Sequence, residues 1–155
     1  MVPGPGILNT TAALSTAYAC NSRVLAITGQ IPSSYIGREL GMLHEIPNQL
    51  SILEGLTKFA KRINYPSDAP AIVSEAFKNM RSGRPRPTAI EMPMDIMQHK
   101  SEVALRTFTD GYSPPAADPD LIKEAALILG AAKNPVIFVG TCLLYTSPSP
   151  RDTEV

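Results

Sequence analysis

The stretch Arg23-Val24-Leu25-Ala26-Ile27-Thr28-Gly29-Gln30-Ile31-Pro32 decides the fold. After Arg23, Val24 to Ile27 is an unbroken apolar run, followed by Thr28 and closed by Gly29, with no alternation of polar and apolar residues. A strand wet on one face alternates, so a continuous run predicts a strand covered on both faces, as in a parallel sheet between helical layers. The flanks agree. Before the run, Ala12 to Asn21 is alanine-rich with Leu14, Ala17 and Tyr18 at helical spacing, and Asn9, Thr10 or Thr11 can cap it. After it, Gln30 to Pro47 carries Pro, Ser and Gly and predicts a long loop at the strand's carboxyl end, the end where open α/β sheets bind ligands.

Further along, Asn48 to Lys61 has helical period through Leu50, Leu53, Leu56 and Phe59, and Arg62 to Tyr65 reads as a short strand. Asp68 leads a helix through Met80 with Ile72, Val73, Ala76, Phe77 and Met80 as its apolar stripe. Ser82-Gly83-Arg84-Pro85-Arg86-Pro87 stops that helix. Thr88-Ala89-Ile90-Glu91-Met92 is a second short strand. Helix and strand in alternation predict an α/β class with a parallel sheet in three α/β/α layers, incomplete over residues 1–97. From 98 to 117 the pattern fails, and Ser, Thr, Asp, Gly and Pro predict a linker. Asp118 then caps a helix over Leu121 to Ala132, and Pro135-Val136-Ile137-Phe138-Val139-Gly140 predicts another buried strand, so 118–140 reads as the start of a second domain. Residues 141–155 read as a non-native tail, since Cys142 to Asp152 looks like a translated sequencing adapter.

Composition removes several function classes. The chain has 155 residues, with 14 Lys+Arg against 14 Asp+Glu. A net charge of zero is no footprint for nucleic acid or an anionic membrane surface. No apolar run approaches the ~20 residues that span a bilayer. Ala17-Tyr18-Ala19-Cys20 resembles a signal-peptide cleavage site, but no Lys or Arg precedes Arg23 and Asn9-Thr10-Thr11 interrupts the apolar stretch. Two cysteines, Cys20 and Cys142, make neither a disulfide framework nor a zinc cage, so a reducing, cytoplasmic setting is expected.

Most motifs with a chemical mechanism are absent: no G-x-G-x-x-G, no phosphate-loop motif, no G-x-S-x-G. His44-Glu45 begins like a zinc motif, but Asn48 stands where the second His belongs, so no metal site is expected. Cys20, on an apolar helix, is expected to be a buried, inert thiol. Lys78, Arg81, Arg84 and Arg86 read as a solvated basic face. Glu91 and Asp95, separated by Met92-Pro93-Met94, are expected to point to different faces and make no acid–base pair. Two clusters remain. Pro3-Gly4-Pro5-Gly6 with Asn9 lets backbone approach a ligand closely before a helix start, although a plain turn reads the same way. Thr28-Gly29-Gln30 puts a neutral amide at a strand's carboxyl end, on the edge shared with the first cluster if the strands are parallel.

In order, Pro3-Gly4-Pro5-Gly6 with Asn9, Val24 to Pro32, Thr57-Lys58, and Ser82-Gly83-Arg84-Pro85 through Ile90-Glu91-Met92-Pro93 and Asp95 resemble thiamine-diphosphate-dependent enzymes, most nearly the acetolactate synthase-like group. The resemblance covers residues 2 to 97 as the rear of a pyrimidine-binding domain and 118 to 140 as the opening of a central domain. It implies that the parent enzyme is a carboligase or decarboxylase acting on 2-keto acids, with thiamine diphosphate and Mg2+ as cofactors. It further implies that Pro5, Gly6 and Asn9 line the aminopyrimidine pocket, that Gln30 assists at the reacting centre, and that Lys58 lies at the substrate channel. Flavin-binding relatives meet FAD in the same neighbourhood, which leaves FAD open. The family places its cofactor between two subunits, which implies a homodimer or homotetramer. Its catalytic glutamate lies upstream of the Gly-Pro-Gly loop and its Gly-Asp-Gly diphosphate motif downstream. Neither is in these 155 residues, so the chain alone is expected to be inactive. Two alternatives stay open: a non-catalytic binding or regulatory protein built on half of this fold, and a relative acting on another 2-keto acid or an acyl-CoA.

Overall fold

A computed structural model of the chain describes residues 1–105, 115–138 and 140. It divides into two compact units, Met1–Tyr112 and Ser113–Val155. The adapter-like tail 141–155 lies outside the described residues, as do residues 106–114 of the linker.

The first unit is a parallel sheet of three strands flanked by helices. Its elements run α1 (Pro5–Leu8), α2 (Thr11–Ala19), β1 (Leu25–Gln30), α3 (Gln49–Leu56), β2 (Phe59–Arg62), α4 (Ala69–Arg81), β3 (Thr88–Pro93) and α5 (Met94–Gln98). The strand order is β1-β3-β2, with both neighbours of β3 parallel to it. The register aligns Ala26, Ala89 and Ala60 in one row across the sheet, and Thr28, Glu91 and Arg62 in the row two residues further on. Paired residues in a parallel ladder share a face, so both rows look toward the same helical layer. The alanine row has almost no side-chain height. It lets Ile7 of α1, Leu14 of α2 and Leu53 of α3 settle directly on the sheet, with Leu56 packed alongside. On the opposite face Ile72 and Ala76 of α4 pack with Ile63 and Ile90.

The central strand fulfils the sequence expectation: Thr88, Ala89, Ile90 and Glu91 are all buried. The edge strand β1 does not. Its Ala26 and Thr28 are buried beneath the first layer, but Ile27 on the other face is 59% exposed. The reason is topological. Among the described helices α4 packs on that face, chiefly against β3 and β2.

Several boundaries shift. The Pro3-Gly4-Pro5-Gly6 segment runs into a short helix at Pro5, because proline's fixed φ suits a first helical turn. α3 ends at Leu56 and β2 already starts at Phe59, where helix had been expected through Lys61. Thr57 is extended, and its hydroxyl shares its one proton between the Leu53 carbonyl at 2.7 Å and the Phe59 carbonyl at 3.0 Å, closing the helix end. Cys20 is exposed rather than buried, since it follows the last turn of α2 and leaves the helix face that packs on the sheet.

In the second unit α6 spans Pro119–Ala131, and the Asp118 side chain accepts from the Asp120 amide at 2.9 Å as its cap. The expected strand after it is not formed over 135–138: Val136, Ile137 and Phe138 are exposed coil. A buried strand needs ladder partners, and no other strand of that unit is present among its described residues.

Candidate cofactor site at the carboxyl end of the sheet

The row Thr28–Glu91–Arg62 ends the apolar part of the sheet and begins its chemistry. Glu91 has no exposed surface, a costly position for a carboxylate unless it is paired and hydrogen-bonded. Arg62 Nε lies 2.5 Å from Glu91 Oε1. Glu91 Oε2 accepts from Gln49 Nε2 at 2.9 Å. Gln49, also without exposed surface, reaches two further backbone groups. Its Nε2 donates to the Gly29 carbonyl at 3.0 Å, and its Oε1 accepts from the Gly4 amide at 2.8 Å. One side chain thus joins the Gly4 turn, the end of β1 and the centre of the sheet.

Gly4 has φ +62, and a Cβ there would stand 2.4 Å from the His44 carbonyl oxygen. Only glycine fits, so the turn is held by shape as well as by Gln49. The segment before it follows the β1 edge. The terminal amine of Met1 donates to the Ile27 carbonyl at 2.8 Å, and the Gly29 amide to the Met1 carbonyl at 3.0 Å.

Gln30, 5% exposed, ends β1 beside this network. Its Oε1 accepts from the Ile31 amide at 2.8 Å, while its Nε2 has no hydrogen-bond partner among the described residues. Gln30 lines two cavities. One, of about 690 Å³, is largely apolar and includes Pro3, Ile27, Gly29, Met42 and Met92. The other, of about 750 Å³, is walled by the 36–49 segment and carries Glu39, Glu45, Gln49 and Arg62. An unpartnered amide donor on a largely buried side chain, at the wall of an apolar space, suits a flat heteroaromatic ring that offers an acceptor nitrogen. Pro5, Gly6 and Asn9 line neither cavity; Pro5 and Asn9 are exposed on α1 and just after it.

Lys58 sits elsewhere. It precedes β2 at the amino end of the strands, where Phe59 is in register with Thr88. Its amine donates to the Ser82 carbonyl and, at 3.1 Å, to the Arg84 carbonyl, clamping the turn before β3. Burial, then the Arg86 charge, hold the Lys58 amine below its ordinary pKa. Arg86 also stacks 3.7 Å from the Tyr18 ring centroid. The structure therefore brings Gln30 and the Gly4 turn together and puts Lys58 at the opposite end of the sheet.

Asp95, in the first turn of α5, closes the loop after β1. It accepts from the Ser33 hydroxyl at 2.5 Å and the Ser33 amide at 2.9 Å. The Ser33 hydroxyl is the main reason its carboxyl lies below the usual range, helped by backbone donors and opposed by burial. Sequence reasoning missed Gln49 and Arg62 and gave Glu91 no role. A signal existed: Gln49 lies four and seven residues before Leu53 and Leu56, on the packed stripe of its helix.

Comparison with known proteins finds relatives of this chain. Residues 1–52 match the family described as thiamine pyrophosphate enzyme, N-terminal TPP binding domain. A probable acetolactate synthase large subunit of Methanocaldococcus jannaschii is 32% identical over 94% of this chain and 25% of its own length. The chain is acetolactate synthase-like, and its first 52 residues match the thiamine pyrophosphate enzyme family. The isozyme 1 large subunit of acetolactate synthase from Escherichia coli is 30% identical over 88% of this chain and 24% of its own length. A probable 2-ketoarginine decarboxylase of Pseudomonas aeruginosa is 29% identical over 90% of the chain and 25% of its own length. The acetolactate synthase-like chain thus spans about a quarter of the length of these relatives. The Gly4 turn, Gln30 and Gln49 all fall inside the matched residues 1–52. Among the described residues no helix is long and apolar enough to cross a membrane.

Proposed function

We propose that this chain contributes the pyrimidine-side wall of a thiamine-diphosphate-dependent enzyme that decarboxylates a 2-keto acid and joins the product to an acceptor. The observation that carries this reading is the Gln30 amide, whose Nε2 is left unpartnered on a largely buried side chain beside the Gly4 turn, inside the segment matched to the family. Gln30 and Pro3, which line the same apolar cavity, would hold the ring edge, and Pro5, Gly6 and Asn9, outside both cavities of this chain, would meet the cofactor from the side that a second subunit completes. When bound, thiamine diphosphate supplies the electron sink for loss of carbon dioxide. The protein's part is to exclude water with Met42, Met92 and Ile27, and to orient the ring through the Gln30 amide.

Pyruvate is the 2-keto acid that the acetolactate synthase names favour, and the name of the Pseudomonas relative favours a decarboxylase of a longer 2-keto acid as the second reading. Mg2+ and a second subunit completing the pocket belong to the same proposal, and FAD stays open as an additional cofactor; Lys58, at the opposite end of the sheet, lies outside it. The chain has no Gly-Asp-Gly for the diphosphate, so it is not sufficient for turnover.

Addition of thiamine diphosphate and Mg2+ to the isotopically labelled chain is expected to shift the Gln30 and Gly6 amide resonances, and ADP with Mg2+ is not. Equal shifts with both, or none with thiamine diphosphate, overturn the assignment. Pyruvate added to the same sample is expected to release no carbon dioxide, and release above blank overturns the claim of insufficiency.

A further inference from the structure

We infer that Gln49 is a positioning residue: it sets where the Gly4 turn stands relative to Gln30, and so fixes the gap into which the ring edge fits. The consequence for cofactor binding rests on the reading above; the positioning itself rests on geometry. Gln49 has no exposed surface and uses both ends of its amide. Oε1 takes the Gly4 amide, while Nε2 is shared by the Gly29 carbonyl, the residue before Gln30, and by Glu91. The amide plane is therefore fixed by Glu91, which Arg62 holds from the other side. Gly4 cannot move toward His44, whose carbonyl already fills the space where a Cβ would stand. An apolar side chain of the same length would fill the volume of Gln49 but leave the Gly4 amide and Gly29 carbonyl without partners, and the turn would leave β1 to reach water.

The decisive experiment compares the chain with its Gln49→Leu variant by amide hydrogen exchange and by titration with thiamine diphosphate and Mg2+. A positioning role predicts at least tenfold faster exchange at Gly4, with unchanged exchange at Ala89 and Ile90 in the central strand. It also predicts at least tenfold weaker thiamine diphosphate binding, read at the Gly6 and Gln30 resonances. Exchange rising equally at Gly4 and Ala89 overturns the proposal, because Gln49 would then support the core as a whole; so does a Gly4 amide that is unaffected. If the unaltered chain shows no response to thiamine diphosphate, the functional reading fails while Gly4 exchange still decides the role of Gln49. Should Gln49→Leu not fold, the scalar coupling across the Gly4 N–H to Gln49 Cδ hydrogen bond in the unaltered chain decides: its presence supports the proposal and its absence ends it.

Discussion

The two ends of the sheet each pin a loop with one polar side chain, but with different consequences. At the carboxyl end Gln49 is fully buried, and its partners Glu91, Gly4 and Gly29 depend on it in turn. At the amino end Lys58 is half-buried and clamps two carbonyls that water can also reach. Burial makes the first arrangement all-or-none, because any member removed leaves another unpaired in a low-dielectric interior. The second arrangement is replaceable by solvent. The contrast explains how a site can be rigid at one end of a small sheet while the other end tolerates change.

The strongest challenge to this contrast is Arg62→Leu. It leaves the Glu91 carboxylate buried and unpaired, and unfolding by urea is expected to show a loss of about 3 kcal/mol, the low end for breaking a buried pair because Arg62 is partly exposed. Gly4→Ala comes next, at about 2 kcal/mol, from the left-handed backbone and the His44 carbonyl. A smaller loss in either would show that the carboxyl end yields more than its burial suggests. Lys58→Met should cost about 1 kcal/mol or less in the same measurement, as expected for a solvent-replaceable hydrogen bond; a cost equal to that of Arg62→Leu would erase the distinction.

Ser33→Ala is expected to have the smallest effect. Asp95 has a lowered carboxyl pKa in the folded state, so its contribution is present above the ordinary carboxylate pKa and is lost as pH falls through the folded value. Removing the hydroxyl should raise the Asp95 pKa, read by carboxyl carbon resonances, and flatten the acid limb of stability.

The sequence displays the sheet more clearly than the site. The Val24–Gly29 run, the α4 stripe and the Thr88–Met92 strand are legible because periodicity reports burial directly. Ile27 misleads, since a run of apolar residues does not say how many helices are available to cover it. The α3–β2 boundary misleads because the apolar spacing through Phe59 continues past the point where Thr57 closes the helix. In the site, Gln30 and the Gly4 turn are legible from their place beside a strand and from the family resemblance. Glu91 and Arg62 are not, because their partnership is set by the β2–β3 register, a contact between residues 29 apart in the chain. Gln49 is half-legible: a polar side chain on a packed stripe announces a buried partner without naming it.

The row Ala26, Ala89 and Ala60 has a consequence for how such a chain can evolve. Three helices rest on side chains that cannot shrink further except to glycine, and any enlargement lifts Ile7, Leu14 or Leu53 off the sheet. Lifting α1 or α3 also parts Gly4 from Gln49. Sequence drift in the row is therefore coupled to drift in the helices above it: Ala89→Val alone should be harmful and Ala89→Val with Leu53→Ala less harmful than the sum of the two. The row and the helices inherit their changes together, as one compensating set.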